Sequence, residues 1–272
     1  MQTKYRRLVQ YLVAIFVAAV ATVALAAFVK PENSGSARLP DGTSETLMAV
    51  EIPDETPQIM VDYTGFRVSF NPAHRQPNYA AWELTGEEAE GQEPRDSRFA
   101  PDNDVYGCPS LDDYRNSGYD RGHMAPAADM KWSRQAMLDC HFLTNICPQN
   151  HGLNGGRWNS LEQACRRWAK RDSALVIIAG PILSDRITET IGRGQVSVPK
   201  RFFKVILAPY VDSPRAIAFV MPNTPTRDGL ESMAMTVDQL EQITGFDFFS
   251  ALPDSIEHQI ESSINFHKWT AR

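Results

Sequence analysis

Four consecutive residues, Asp120-Arg121-Gly122-His123, bring together a candidate general base, a phosphate-binding cation and a tight glycine. Hydrolysis of a phosphodiester needs an activated water, positive charge at the phosphorus and help for the leaving oxygen. The neutral imidazole of His123 can take a proton from water, since an unperturbed histidine titrates near about pH 6.5. The planar guanidinium of Arg121 stays charged and grips phosphate oxygens in pairs. In an extended segment, residues 121 and 123 share one face. Gly122 between them permits close approach, and Asp120 is expected to face the other way as an anchor.

A second cluster supplies a metal. Asn154 and Glu162 are eight residues apart, near two helical turns, so one face of a helix can carry both. An amide oxygen and a carboxylate suit Mg²⁺, which prefers oxygen donors, keeps several waters and needs few protein groups. Mn²⁺ is the alternative ion. Arg95 is a further candidate phosphate ligand, with Arg98 as its near rival. Each cluster alone also has a plainer reading: a surface turn at 120–123, and a loop asparagine with a surface glutamate. Other chemistries find little support. G-x-S-x-G, Walker P-loop, G-x-G-x-x-G and H-E-x-x-H patterns are missing. His74, His141, His151, His258 and His267 are scattered and read as ordinary polar residues.

The surrounding elements must position these groups. Residues 61–70 and 79–84 are β-rich and flank a turn-prone Asn71-Pro72-Ala73-His74, which predicts a hairpin. Residues 86–94 read as a solvated loop. A short helix begins behind Ser133 as N-cap, and residues 142–146 read as a strand. Residues 158–171 have helical apolar spacing, with four cations near the C-terminal end. Residues 174–179, 202–207 and 216–220 are apolar strands. Thr236-Val237-Asp238-Gln239 is a capping box for a helix ending at Gly245, and a last helix is expected near 255–263. The pattern predicts an α+β domain with mixed α/β/α layers.

Composition sets the outer limits. The 272 residues are ordinary for a globular chain, with a formal net charge of −6. Residues 30–272 carry 24 basic against 33 acidic groups, about −9, which argues against a passive nucleic-acid-binding module. A local cation can still neutralise phosphate within an acidic enzyme. Lys4, Arg6 and Arg7 precede an apolar run over residues 8–29. That run predicts either a transmembrane anchor or a cleaved signal segment, with Ala24-Leu25-Ala26 as a cleavage site. Both place the remainder outside the cytoplasm, membrane-anchored or secreted. Residues 1–30 form this module, 31–57 read as a flexible tether, and 58–272 as the catalytic domain. Cys108, Cys140, Cys147 and Cys165 allow three full disulfide pairings, or none.

The motifs also carry a resemblance. Asp120–Asp129 (DRGHMAPAAD), the run 142–149 (FLTNICPQ) and Asn154…Trp158…Leu161-Glu162 resemble the DNA/RNA non-specific endonucleases. So do Gly180-Pro181, Val198-Pro199, Asn223-Thr224-Pro225 and residues 236–245. The likeness spans about residues 60–265. It implies a ββα-metal (His-Me finger) core cleaving DNA and RNA to 5′-phosphate ends. It implies His123 as general base, Asn154 as direct Mg²⁺ ligand and Glu162 acting through metal-bound water. Arg121 and Arg95 would hold phosphate, with Asn145 near the site and Arg157 as a further substrate contact. Thr144 departs from the usual serine, and Cys147 is unusual beside the site. The alternative is a non-catalytic surface protein that captures nucleic acid, or a phosphodiesterase for a smaller substrate. Homodimerisation and a protein inhibitor are open.

Overall fold

The structure, a computed structural model, describes residues 44–270, which lie within the compact unit Arg38–Arg272. The apolar segment 8–29 and the first part of the expected tether fall outside the described residues. Among the described residues, no helix is long and apolar enough to cross a membrane.

The strands are β1 (Val50–Glu51), β2 (Ile59–Tyr63), β3 (Phe66–Asn71), β4 (Gln76–Thr85), β5 (Asp120–His123), β6 (Ile146–Gln149) and β7 (Ala174–Pro181). They continue as β8 (Thr190–Ile191), β9 (Val196–Ser197), β10 (Arg201–Ala208), β11 (Arg215–Pro222), β12 (Ala234–Met235) and β13 (Asp247–Phe248). The helices are α1 (Ser44–Leu47), α2 (Leu111–Tyr114), α3 (Arg134–Asp139), α4 (Asn159–Asp172), α5 (Val237–Thr244), α6 (Asp254–Glu261) and α7 (His267–Thr270).

Seven strands build an antiparallel sheet in the order β12-β11-β10-β7-β4-β3-β2. Its central strand β7 is buried along its whole length, so the apolar run needs no polar alternation. Leu175, Ile177 and Ala179 pack into the layer containing α4, while Val176 and Ile178 pack into the layer containing α5 and α6. This is the period-two alternation of a strand with both faces covered. Each such fully buried aliphatic side chain stabilises the fold by about 1.5–3 kcal/mol. The result is the expected α/β/α arrangement.

Three local expectations shift. The first β-rich run breaks at Thr64-Gly65, where Gly65 adopts φ +85° and turns β2 into β3. The strand expected at 142–146 starts instead at Ile146, because Leu143–Asn145 form a tight turn. The second part of the expected tether is packed, with Leu47 buried and β1 paired to β13. The capping predictions hold. The Ser133 hydroxyl accepts from Ala136 N, and Thr236 forms its capping box before a helix closed by Gly245 at φ +75°. All four cysteines are free thiols.

Candidate active site

β5 and β6 form a separate antiparallel pair that pairs Gly122 with Cys147 and His123 with Ile146. Pro148 is tolerated in β6 because a two-stranded ladder leaves it an edge. Two clamps fix this pair. Trp158 at the start of α4 donates from Nε1 to the His123 carbonyl at 3.3 Å. Met124 N donates to the Asn145 carbonyl at 3.0 Å. Gly122 is required here, since a Cβ would come within 2.3 Å of Gln149 Oε1 and 2.6 Å of its Cβ.

Alternation along β5 sorts the side chains. The Arg121 guanidinium carbon lies 5.0 Å from the Phe99 ring centre, and the His123 ring lies 5.2 Å from it. The two therefore share one face, as their spacing predicts. His123 is 7% exposed and sits edge-on to His141, with ring centres 4.9 Å apart. Burial, followed by the neighbouring His141 and the Arg95 cation, holds its imidazole well below the usual pKa of 6.5. His123 Nε2 is buried without a hydrogen-bond partner. The imidazole is thus neutral, as a proton acceptor must be.

Asp120 makes separate contacts, with Asn154 and His151. What it anchors was not legible. Its Oδ2 accepts from Asn154 Nδ2 at 2.8 Å and lies 3.0 Å from His151 Nδ1. An ionised carboxylate only accepts hydrogen bonds, so this contact fixes the Asn154 amide with its nitrogen toward Asp120. The amide oxygen is left for a cation.

Asn154 and Glu162 are not on one continuous helix. Leu153–Trp158 form an irregular turn, with Gly156 at φ −101° and ψ −113°, before α4 begins. Glu162 is in the first turn of α4. Burial pushes its carboxyl up to about 7, with Asp129 acting the same way against Lys204, Arg166 and Arg95. A cation beside it would reverse that, since nearby positive charge favours the carboxylate. The donor set therefore fits a hard divalent ion: one oriented amide oxygen and one underneutralised carboxylate. His123, Cys140 and His141 each offer a ligand atom within 4.8 Å of the others. That softer nitrogen and sulfur set suits transition metals and does not suit Mg²⁺.

The arginines divide. Arg98 is engaged by Asp96, through Nε at 3.1 Å and a terminal nitrogen at 2.9 Å. Arg95 is exposed, and its charge acts on His123, His141, Cys140 and Glu162. Arg157 donates to the Arg227 carbonyl at 2.7 Å, which ties the turn before α4 to a distant loop.

Asn145 is placed differently from a substrate contact. It is fully buried, its Oδ1 accepts from Ala125 N, and its Nδ2 donates to the carbonyls of Ala125 and Cys140, all at 2.9 Å. With every amide partner taken by backbone, it holds the segment after His123 in place. Sequence reasoning also passed over Lys204. This buried ammonium lies 4.8 Å from the Trp82 ring centre and 4.5 Å from that of Trp158, with no hydrogen-bond acceptor. A lysine within a strand gives no signal of such a partner.

The strand pair β5–β6, the following helix α4 and this oxygen-rich set define a ββα-metal nuclease fold. The comparisons agree. The family model described as DNA/RNA non-specific endonuclease matches residues 43–255. The chain is 38% identical over 210 residues to "Nuclease EXOG, mitochondrial" of Danio rerio, covering 70% of this chain and 60% of that protein. It is 35% identical over 224 residues to "Nuclease 1, mitochondrial" of Schizosaccharomyces pombe, covering 74% and 69%. A chain in the crystal structure of the EndoG/EndoGI complex superposes with a TM-score of 0.70 at 25% identity, covering 79% of this chain and 95% of that one. The chain belongs to the DNA/RNA non-specific endonuclease family, whose members are hydrolases acting on nucleic acids.

Proposed function

We propose that the protein is a Mg²⁺-dependent endonuclease that cleaves DNA and RNA without regard to sugar, leaving 5′-phosphate ends, with Mn²⁺ as a substitute ion. The observation that carries this reading is the Asp120–Asn154 contact. One short strand orients a metal-binding amide and, three residues on, presents a neutral histidine.

In this mechanism Asn154 would hold the ion directly and Glu162 would hold it through water. The chemistry an ion supplies when bound there is positive charge at the scissile phosphate and the leaving oxygen. Arg121 and Arg95 bind the phosphate oxygens and stabilise the charge that builds on them. Neutral His123 takes the proton from the attacking water as the new oxygen–phosphorus bond forms, becoming imidazolium. The leaving 3′ oxygen departs opposite that attack, so the phosphate stays on the 5′ side. Arg157 and the loop at Arg227 border the same end of α4 and contact the nucleic-acid backbone.

The test is nicking of supercoiled plasmid and degradation of RNA by the full chain, with Mg²⁺ and with EDTA. Cleavage of both substrates, abolished by EDTA and by His123→Ala in a folded protein, is expected. Metal-independent cleavage, or wild-type nicking by His123→Ala, overturns the assignment. Placement of the domain outside the cytoplasm, anchored or secreted, is supported by residues 4–29 of the sequence. Protease accessibility in intact cells tests it.

A further inference from the structure

Residues 237–261 contain six acidic residues and no lysine or arginine. They cover the face of the large sheet opposite α4, where Val237, Leu240 and Ile260 share one core. Asp238 and Glu241 are one turn apart on α5 and so neighbour each other. Burial of Ile260 on α6 draws the adjacent Glu261 inward. Glu261 is 5% exposed, and its Oε1 receives no hydrogen bond. Glu241 Oε1 accepts from Phe248 N at 2.9 Å, so one member is partly satisfied by backbone. An unpartnered carboxylate oxygen out of water is costly unless a cation or proton meets it.

The geometry fits a single cation. One oxygen each from Asp238, Glu241 and Glu261 lies within 4.8 Å of the others. Oxygens bound to a single Ca²⁺ lie at most about 5 Å apart, so one ion can reach all three. Ca²⁺ also accepts the irregular oxygen arrangement that two packed helices provide. We propose that Asp238, Glu241 and Glu261 form a Ca²⁺ site that clamps α6 onto α5, on the opposite face of the sheet from the nuclease centre. Water completes the coordination shell.

Calcium counting by equilibrium dialysis and thermal unfolding, both on the full chain, test the site. Asn154→Ala serves as background, so calcium at the nuclease centre does not enter the readout. Ca²⁺ at a hundredfold excess over its dissociation constant is expected to raise Tm by about 5 °C or more relative to EGTA. The Asn154→Ala chain is expected to retain one bound Ca²⁺ and this shift. Adding Glu261→Gln or Asp238→Asn should remove both, while each protein stays folded in EGTA. Equal Tm in Ca²⁺ and EGTA with no bound Ca²⁺ overturns the site, and means that Glu261 holds a proton instead. A shift that survives both substitutions also overturns it. The readout is independent of nicking, so failure here and failure of the nuclease assignment are separately visible.

Discussion

Asp120→Ala gives the sharpest test of how the site is built. The substitution deletes the acceptor of the 2.8 Å bond from Asn154 Nδ2. Without it the Asn154 amide can turn over and present its NH₂ group, which repels a cation. Hydrogen bonds to charged groups contribute about 1.5–3 kcal/mol. The Asp120 side chain is 32% exposed, so solvent screening places this one at the low end, ~1.5 kcal/mol. That corresponds to about a tenfold change in an equilibrium constant. The Mg²⁺ concentration for half-maximal plasmid nicking should therefore rise about tenfold, with the rate at saturating Mg²⁺ recovered to within about threefold. Loss of the Asp120 charge pushes in the same direction. His151→Ala is the control: it removes the other neighbour of the same oxygen but leaves the Asn154 bond, and should change the Mg²⁺ requirement little. An unchanged Mg²⁺ requirement in Asp120→Ala refutes the orienting role. So does a large loss of rate that saturating Mg²⁺ does not restore.

Removing the base in His123→Ala should lower the nicking rate by on the order of 10²–10⁴-fold with unchanged circular dichroism. Burial, His141 and Arg95 all favour neutral His123, so the base remains competent as pH falls through 6.5. The acidic limb of kcat/KM should lie below that value, and a half-point at pH 7 or above contradicts the electrostatics. Gly122→Ala forces a methyl into buried Gln149; overpacking of about 1–3 kcal/mol should lower Tm by about 5 °C in thermal unfolding. Arg95→Ala should weaken DNA binding and make its loss with salt shallower, by about one in the log–log slope, whereas Arg98→Ala, whose side chain is engaged by Asp96, should leave both near wild type. Equal effects of the two in a salt-titrated binding assay contradict the assignment.

The legibility of the sequence followed the range of the interactions. Arg121 and His123 were readable because their spacing puts both on one strand. Asn154 and Glu162 were readable as an oxygen-donor pair close in sequence, although the kink at Gly156 splits them between a turn and α4. The apolar runs at 174–179, 202–207 and 216–220 became β7, β10 and β11 with small extensions, because burial on both faces needs only a continuous apolar string. Partnerships across the chain left no such trace. Asp120 finds Asn154 34 positions later, and His141 meets His123 edge-on through a fold contact. The displaced start of β6 has the same origin. Asn145 prefers hydrogen bonds to Ala125 and Cys140 over a ladder, and local propensity does not see them. Residues 44–57 looked like a tether by composition, yet their few apolar groups suffice once β13 provides an edge.

The doubly covered sheet has a further consequence. Along β7, adjacent residues answer to different layers: Ile177 to the side of α4, Ile178 to that of α5 and α6. A strand buried on both sides cannot slide or tilt toward one layer without opening the other. The sheet therefore acts as a thermodynamic insulator. Changes made for catalysis on one side and for helix docking on the other should add independently in free energy. The two layers can diverge separately, so the nuclease chemistry can persist while the opposite surface acquires new ligands or partners.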